Sequence, residues 1–263
     1  MMAGPGILTE TRLVKPWGRC DLPQSFDRGD GAQIGEVWFD PPEELKSVLA
    51  KYLFTGERLS VQIHPLPENS PTGVGKDECW LITEAKPGAT LAIGFREEFS
   101  PEDIRAAALD GSIEDMLDWR EVKENDFLYV PSGTVHAIGP GLTLVEIQQN
   151  SDITYRLYDY GRDRDLHLDD AMRSIDGGPY PDRLLQKVDA GAETVLVDGP
   201  YFRLVHSVGM PSTAMEGAVQ VLPLSGACRI GGETVSAGAS GWASELGDVD
   251  FSQCGRCLLI AAC

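Results

Sequence analysis

The chain has 263 residues, 42% of them hydrophobic and 24% charged, enough for one large β domain or two small ones with a self-sufficient core. Its 41 Asp and Glu outnumber 22 Lys and Arg, for a net charge of −19. That balance excludes binding of nucleic acid or an anionic lipid surface by charge neutralisation, whereas a small phosphorylated ligand needs only a few cations gathered at one site.

In chain order, MMAGPGILTETR shows no basic segment followed by a long apolar stretch, and no apolar run reaches membrane length. No secretory signal or membrane partner is expected, and a cytoplasmic location follows by default. Residues 42–50 read as a short helix. Ser60-Val61-Gln62-Ile63-His64 alternates polar and apolar as a strand does, and residues 78–82 read as the next strand. Ser100-Pro101-Glu102-Asp103 supplies a cap, a first-turn proline and early acids, with Gly111 as the stop and a second short helix from Ser112. Strands are predicted at residues 127–130, 142–148 and 155–158, then a helix over 168–175. Residues 176–189, rich in Gly, Pro and charge, read as a linker. Beyond it, residues 202–205 and 219–222 read as strands, and residues 229–235 as a hairpin on Gly231-Gly232. Many short strands with few helices indicate a mainly β fold, a sandwich or jelly-roll barrel.

Six cysteines are too sparse for a disulfide framework. Cys254-Gly255-Arg256-Cys257 has CxxC spacing, but with no second CxxC or paired His nearby it reads as two thiols near a strand end.

Strand periodicity places Gln62 and His64 on one face beside Ser60, with Val61 and Ile63 opposite. Glu78 shares a face with Trp80. Pro131 and Gly133 enforce a turn just before His136. A barrel that directs these side chains inward gathers two imidazoles, a carboxylate and an amide oxygen. That set suits Zn²⁺ or a similar divalent ion, with positions left open. Taken singly, a His is more often a hydrogen-bonded core or surface residue, and Glu78 a solvated strand charge. His167 and His206, at an expected helix start and strand end, read as structural.

The Pro-x-Gly-x-x-His element ending at His136 resembles the second cupin motif. In the first motif Gln62 stands where a His is usual, and the Glu is delayed to Glu78. Both departures resemble type I mannose-6-phosphate isomerases. So do Lys15-Pro16-Trp17-Gly18, Ile34-Gly35-Glu36-Val37-Trp38, Gly75-Lys76-Asp77-Glu78-Cys79-Trp80 and Asn150-Ser151-Asp152-Ile153-Thr154-Tyr155-Arg156, in a series covering roughly residues 12 to 176. The resemblance implies a catalytic cupin domain over residues 1–178, with a short helical insertion around 100–118. A small degenerate cupin-like β domain without a second metal then occupies 190–263. It further implies aldose-ketose isomerisation of mannose 6-phosphate and fructose 6-phosphate through an enediol, one Zn per chain on Gln62, His64, Glu78 and His136, and a monomer or small homo-oligomer.

The substrate phosphate then needs a cation. Arg156 and Lys76 lie in the matching motifs, and Arg156 points inward if Leu157 packs outside. Ser60 adds a hydroxyl. Asp152, four residues before Arg156, is placed to orient it or to serve in proton transfer; a surface ion pair with Arg156 is its plainer role. Which group removes the carbon-bound proton stays open in the sequence. Two rival readings are a non-catalytic metal-dependent sugar-phosphate binder and an Fe²⁺ cupin oxygenase, the latter disfavoured by Gln62, since such sites favour more imidazole ligands.

Overall fold

The computed structural model describes residues 4–263. Period-two alternation builds two antiparallel sheets between Glu10 and Lys187. The larger has seven strands in the order Leu185–Lys187, Asp126–Val130, Glu78–Ala85, Leu142–Gln149, Val48–Phe54, Ile34–Phe39 and Glu10–Arg19. The other has five, Tyr155–Tyr158, Val61–Ile63, His136–Ile138, Thr90–Phe95 and Leu117–Glu121. They face each other across Trp80, Leu53, Ile82, Leu128 and Leu144 from one and Leu91, Ile93 and Ile138 from the other. This closed jelly roll is the cupin barrel. In the second half, a six-stranded and a three-stranded antiparallel sheet enclose Val205, Val219, Val221, Ile230 and Leu259 in a smaller barrel.

The central strands of the large sheet divide their side chains between two cores. Ala50, Tyr52, Phe54, Cys79, Leu81, Val145 and Ile147 point outward and meet Phe202, Leu204, Leu222, Leu258 and Ile260 of the second barrel. Their neighbours in sequence point inward, and among them are Lys51, Glu78 and Glu146, all buried. On the five-stranded sheet, Val61, Ile63 and Leu157 pack outward against Ile104, Ala107 and Ala108 of the helix Pro101–Asp110. Gln62 and Arg156 therefore turn into the barrel, as alternation requires.

The helix Pro101–Asp110 starts and stops where expected. Ser100 Oγ accepts a hydrogen bond from Asp103 N at 3.1 Å, and Gly111 closes the helix at φ 87°. The hairpin Ala227–Ile230 to Glu233–Ser236 turns on Gly231 and Gly232, both at positive φ.

Other expectations fail. Residues 42–50 hold one 3₁₀ turn, Glu43–Leu45, and then enter the central strand Val48–Phe54, because the apolar and aromatic residues there alternate between two cores instead of lining one helical face. The helix near 168 is only Leu168–Ala171. Residues 176–189 do not form a free linker. Asp176 bridges Thr134, Pro179 bridges Gly94, and Leu185–Lys187 extends the seven-stranded sheet beside Asp126–Val130. Gly6–Ile7, from the start of the chain, pairs with Gly241–Ala243 in the second barrel. No helix among the described residues is long and apolar enough to cross a membrane.

Candidate metal centre and anion pocket

His64, just past the strand Val61–Ile63, converges inside the first barrel with Glu78 and His136 from two other strands. Their potential ligand atoms all lie within 4.8 Å of one another, and each residue is buried. His64 Nδ1 donates to Ile153 O and His136 Nδ1 to Thr134 O, both at 3.0 Å. Those bonds fix the tautomers and aim both bare Nε2 lone pairs at the centre, the arrangement common to metal-ligating imidazoles. Burial, reinforced for His64 by the Lys76 charge, lowers both imidazole pKa values, that of His64 to about 4. Both rings are therefore neutral near pH 7. Burial alone would raise the Glu78 carboxyl, but the Lys76 ammonium outweighs it and holds the group ionised, well below the usual carboxylate range.

Gln62 reaches the same centre from strand Val61–Ile63, its Nε2 donating to His136 Nε2 at 3.2 Å. A half turn of the amide presents its oxygen instead. Lys76 Nζ donates to His64 Nε2 at 3.0 Å and lies 2.9 Å from Glu78 Oε2. That carboxylate oxygen is buried with no aligned hydrogen-bond donor. Two neutral imidazoles, one carboxylate with a spare oxygen and one amide fit a divalent cation, and the set is poor in soft ligands.

The loops that deliver these groups are tied together. Asp77 accepts from Tyr129 Oη at 2.7 Å and from Ser132 N and Oγ at 3.0 and 2.8 Å, while Ser132 Oγ accepts from Lys76 N at 2.9 Å. Gly133 sits at φ 85° and donates to His64 O at 2.8 Å. A Cβ there would lie 2.4 Å from Ser174 O.

The remainder of the pocket was only partly legible in the sequence. Ser60 Oγ accepts from Arg156 Nε at 3.2 Å and from Arg164 Nη2 at 2.9 Å. Two guanidinium groups thus meet on one hydroxyl at the rim of the cavity that Gln62, Glu78 and His136 line. Burial and the Arg164 charge lower the Arg156 pKa. Asp159 grips Arg164 through both carboxylate oxygens. Arg164 lies in the polar loop after Tyr155–Tyr158, where no periodicity marks it.

Lys51, Glu36 and Glu146 were also missed. Lys51 Nζ lies 2.9 Å from Glu146 Oε1, and Lys76 Nζ lies 3.7 Å from the same oxygen. Trp80 Nε1 donates to Glu146 Oε2 at 3.1 Å, and Trp38 Nε1 to Glu36 Oε2 at 2.6 Å. Their signal was available: a charge at an inward position of an otherwise apolar strand must find a partner. Asp152 does not join this group. It is exposed, on the loop between Leu142–Gln149 and Tyr155–Tyr158, while the Arg156 guanidinium bonds to Ser60 Oγ and Asp165 O. A four-residue spacing brings side chains together on a helix, not across a loop into a strand. His167 Nδ1 accepts from Arg156 N, and His206, mid-strand rather than at a strand end, is held between Ala192 O and Arg256 Nε. Both are structural.

The mannose-6-phosphate isomerase of Streptococcus mutans is 34% identical over 221 residues, 76% of this chain and 68% of that protein. The chain belongs to the mannose-6-phosphate isomerase family. ManA of Bacillus subtilis, also a mannose-6-phosphate isomerase, is 37% identical over 168 residues, 59% of this chain and 53% of that protein, so this second match spans only about half of the relative. The crystal structure of the Bacillus subtilis mannose 6-phosphate isomerase superposes with a TM-score of 0.79 at 25% identity, over 98% of this chain and 99% of that one. A zinc-bound mannose 6-phosphate isomerase shares the fold at TM-score 0.74 and 14% identity. No family model matches the chain.

Proposed function

We propose that this chain is a metal-dependent aldose-ketose isomerase interconverting mannose 6-phosphate and fructose 6-phosphate, with Gln62, His64, Glu78 and His136 as ligands of one zinc ion. The observation that carries the reading is the pair of adjoining subsites in one cavity. A neutral-imidazole and carboxylate centre lies around Gln62, and two guanidinium groups meet on Ser60 beside it, Arg156 being the cross-strand neighbour of Gln62. The first suits a cation beside the sugar carbonyl and hydroxyl, the second a phosphate. The family's named activity and the zinc in one structural neighbour agree with it.

A divalent ion held here supplies Lewis-acid stabilisation of negative charge developing on substrate oxygen. Arg156 and Arg164 bring the positive charge and remaining N–H donors that a phosphate needs. Ser60 steadies both guanidinium groups, and Asp159 holds Arg164 in place. Lys76, buried between His64, Glu78 and Glu146, is placed to hold or move a proton at the sugar oxygens. Glu146, inward and ion-paired with Lys51 and Lys76, is the carboxylate this reading assigns to exchange the carbon-bound proton. The exposed Asp152 takes no such role in this reading.

A coupled assay for fructose 6-phosphate formation, run before and after chelation and again after zinc is restored, tests the proposal. Activity should fall with the metal and return with it. A fully loaded preparation that binds mannose 6-phosphate without turning it over would leave only a sugar-phosphate binder.

A further inference from the structure

Among the described residues all six thiols are free. Cys20 and Cys263 are exposed, Cys79, Cys228 and Cys257 are buried, and Cys254 is in between. The two that share the CxxC segment lie in the second barrel, away from the sugar-phosphate cavity. Cys257 belongs to strand Arg256–Ala262, where alternation turns Cys257, Leu259 and Ala261 into the second barrel and Leu258 and Ile260 toward the first. Cys254, on the preceding turn, packs against the same inner cluster while keeping part of its side chain in solvent. The two cysteines, three residues apart, therefore meet the same inner cluster.

The backbone holds that turn in place. Cys254 N donates to Phe251 O at 2.9 Å, Gly255 N to Ser225 O at 3.0 Å and Arg256 N to Ser225 Oγ at 2.9 Å. Gly255 is needed for the close approach, because a Cβ there would stand 2.4 Å from Ser225 Oγ. Arg256, between the two thiols, faces the other way. It donates to His206 Nε2 at 3.1 Å and to Asn125 Oδ1 of the first barrel.

We propose that Cys254 and Cys257 are a redox-active dithiol, Cys254 attacking and Cys257 resolving, which closes to an intrachain disulfide at the expense of a low-molecular-weight disulfide. In the first step the Cys254 thiolate bonds to one sulfur of the oxidant, whose S–S bond breaks and releases one thiolate, which takes up a proton. In the second, Cys257 loses its proton and attacks Cys254 Sγ, and the mixed disulfide breaks to release the second thiol. The protein loses two electrons and two protons, and the oxidant gains both as two thiols. The neighbouring Cys257 thiol lowers the Cys254 pKa. Cys254 and burial raise that of Cys257, so the accessible sulfur is also the more readily ionised one. Cys228 is buried nearby, its pKa pushed up to about 12 by burial, and is a poor competitor.

The test equilibrates the full zinc-loaded chain with graded ratios of oxidised and reduced glutathione, followed by acid quench, alkylation and peptide mass mapping. The expected result is loss of two alkylatable thiols per chain to one Cys254–Cys257 link, reversed by excess reduced glutathione. Cys257→Ser should stop at a mixed disulfide on Cys254, and Cys228→Ser should behave as the parent chain does. The proposal is overturned if Cys254 stays reduced while Cys20 and Cys263 take up glutathione, or if the link runs through Cys228.

Discussion

At the scale of single residues, the pocket works by pairing charges that burial alone would not tolerate. Lys76 offsets Glu78 and Glu146, and Lys51 sits between Glu146 and Glu36. Removing one member of such a set costs more than the pair is worth, because its partner is left buried and uncompensated. The arginines at the rim behave differently, since they are partly exposed and act on ligand. Arg164→Ala should raise KM for mannose 6-phosphate roughly tenfold to a hundredfold, the worth of a hydrogen bond to a charged group, while zinc content stays that of the parent chain. His136→Ala should do the reverse and lose zinc first. Steady-state kinetics beside metal analysis separates the two, and zinc loss in the Arg164 variant would contradict the phosphate assignment.

Single turns decide whether those side chains arrive. Gly133 occupies a left-handed conformation with Ser174 O in the place of a side chain, and it sits three residues before His136. Gly133→Ala should cost about 1–3 kcal/mol of stability and weaken zinc binding as the turn shifts. Chemical denaturation with and without zinc measures both, and an unchanged midpoint would show that the turn is not strained. In the second barrel, Glu193 plays a comparable tying role. It accepts from Thr213 Oγ1 and N and from Ser212 N and Oγ. Burial would raise its carboxyl, but those donors prevail and pull it down to about 2. A carboxyl depressed in the fold is ionised there while the unfolded chain still takes up a proton. Its contribution is therefore complete above the unfolded value near 4.5 and is lost as pH falls toward 2. Glu193→Gln should melt lower than the parent chain at pH 7, and the gap should close between about pH 4.5 and 2. Melting curves across that range test it; a gap that persists at the acid end would exclude Glu193 as its source.

Over the whole molecule, the two barrels share a core. Phe39, Tyr52, Phe54 and Val145 of the first pack with Phe202, Leu222, Leu258 and Ile260 of the second, and Gly6–Ile7 pairs across to the second barrel. A chain ending at residue 189 would expose that apolar face. It should therefore be recovered as an aggregating or molten species rather than as a metal-binding barrel. Circular dichroism and dye binding of that truncation measure the outcome, and a cooperative, zinc-binding product would show that the first barrel is independent.

Alternation along Ser60-Val61-Gln62-Ile63-His64 and Tyr155-Arg156-Leu157-Tyr158 determined on its own which residues face inward, since a strand's period of two is local. The turn at Pro131 and Gly133, the cap at Ser100 and the hairpin at Gly231 and Gly232 were legible for the same reason, each depending on a few adjacent dihedrals. Only the tertiary structure decided that Arg164 meets Arg156 on Ser60, that Glu146 and Lys51 join Lys76, that Asp152 stays outside, and that residues 42–50 complete a sheet. Those outcomes depend on partners tens of residues away in the chain, and local propensity carries no information about which distant strand will supply a neighbour.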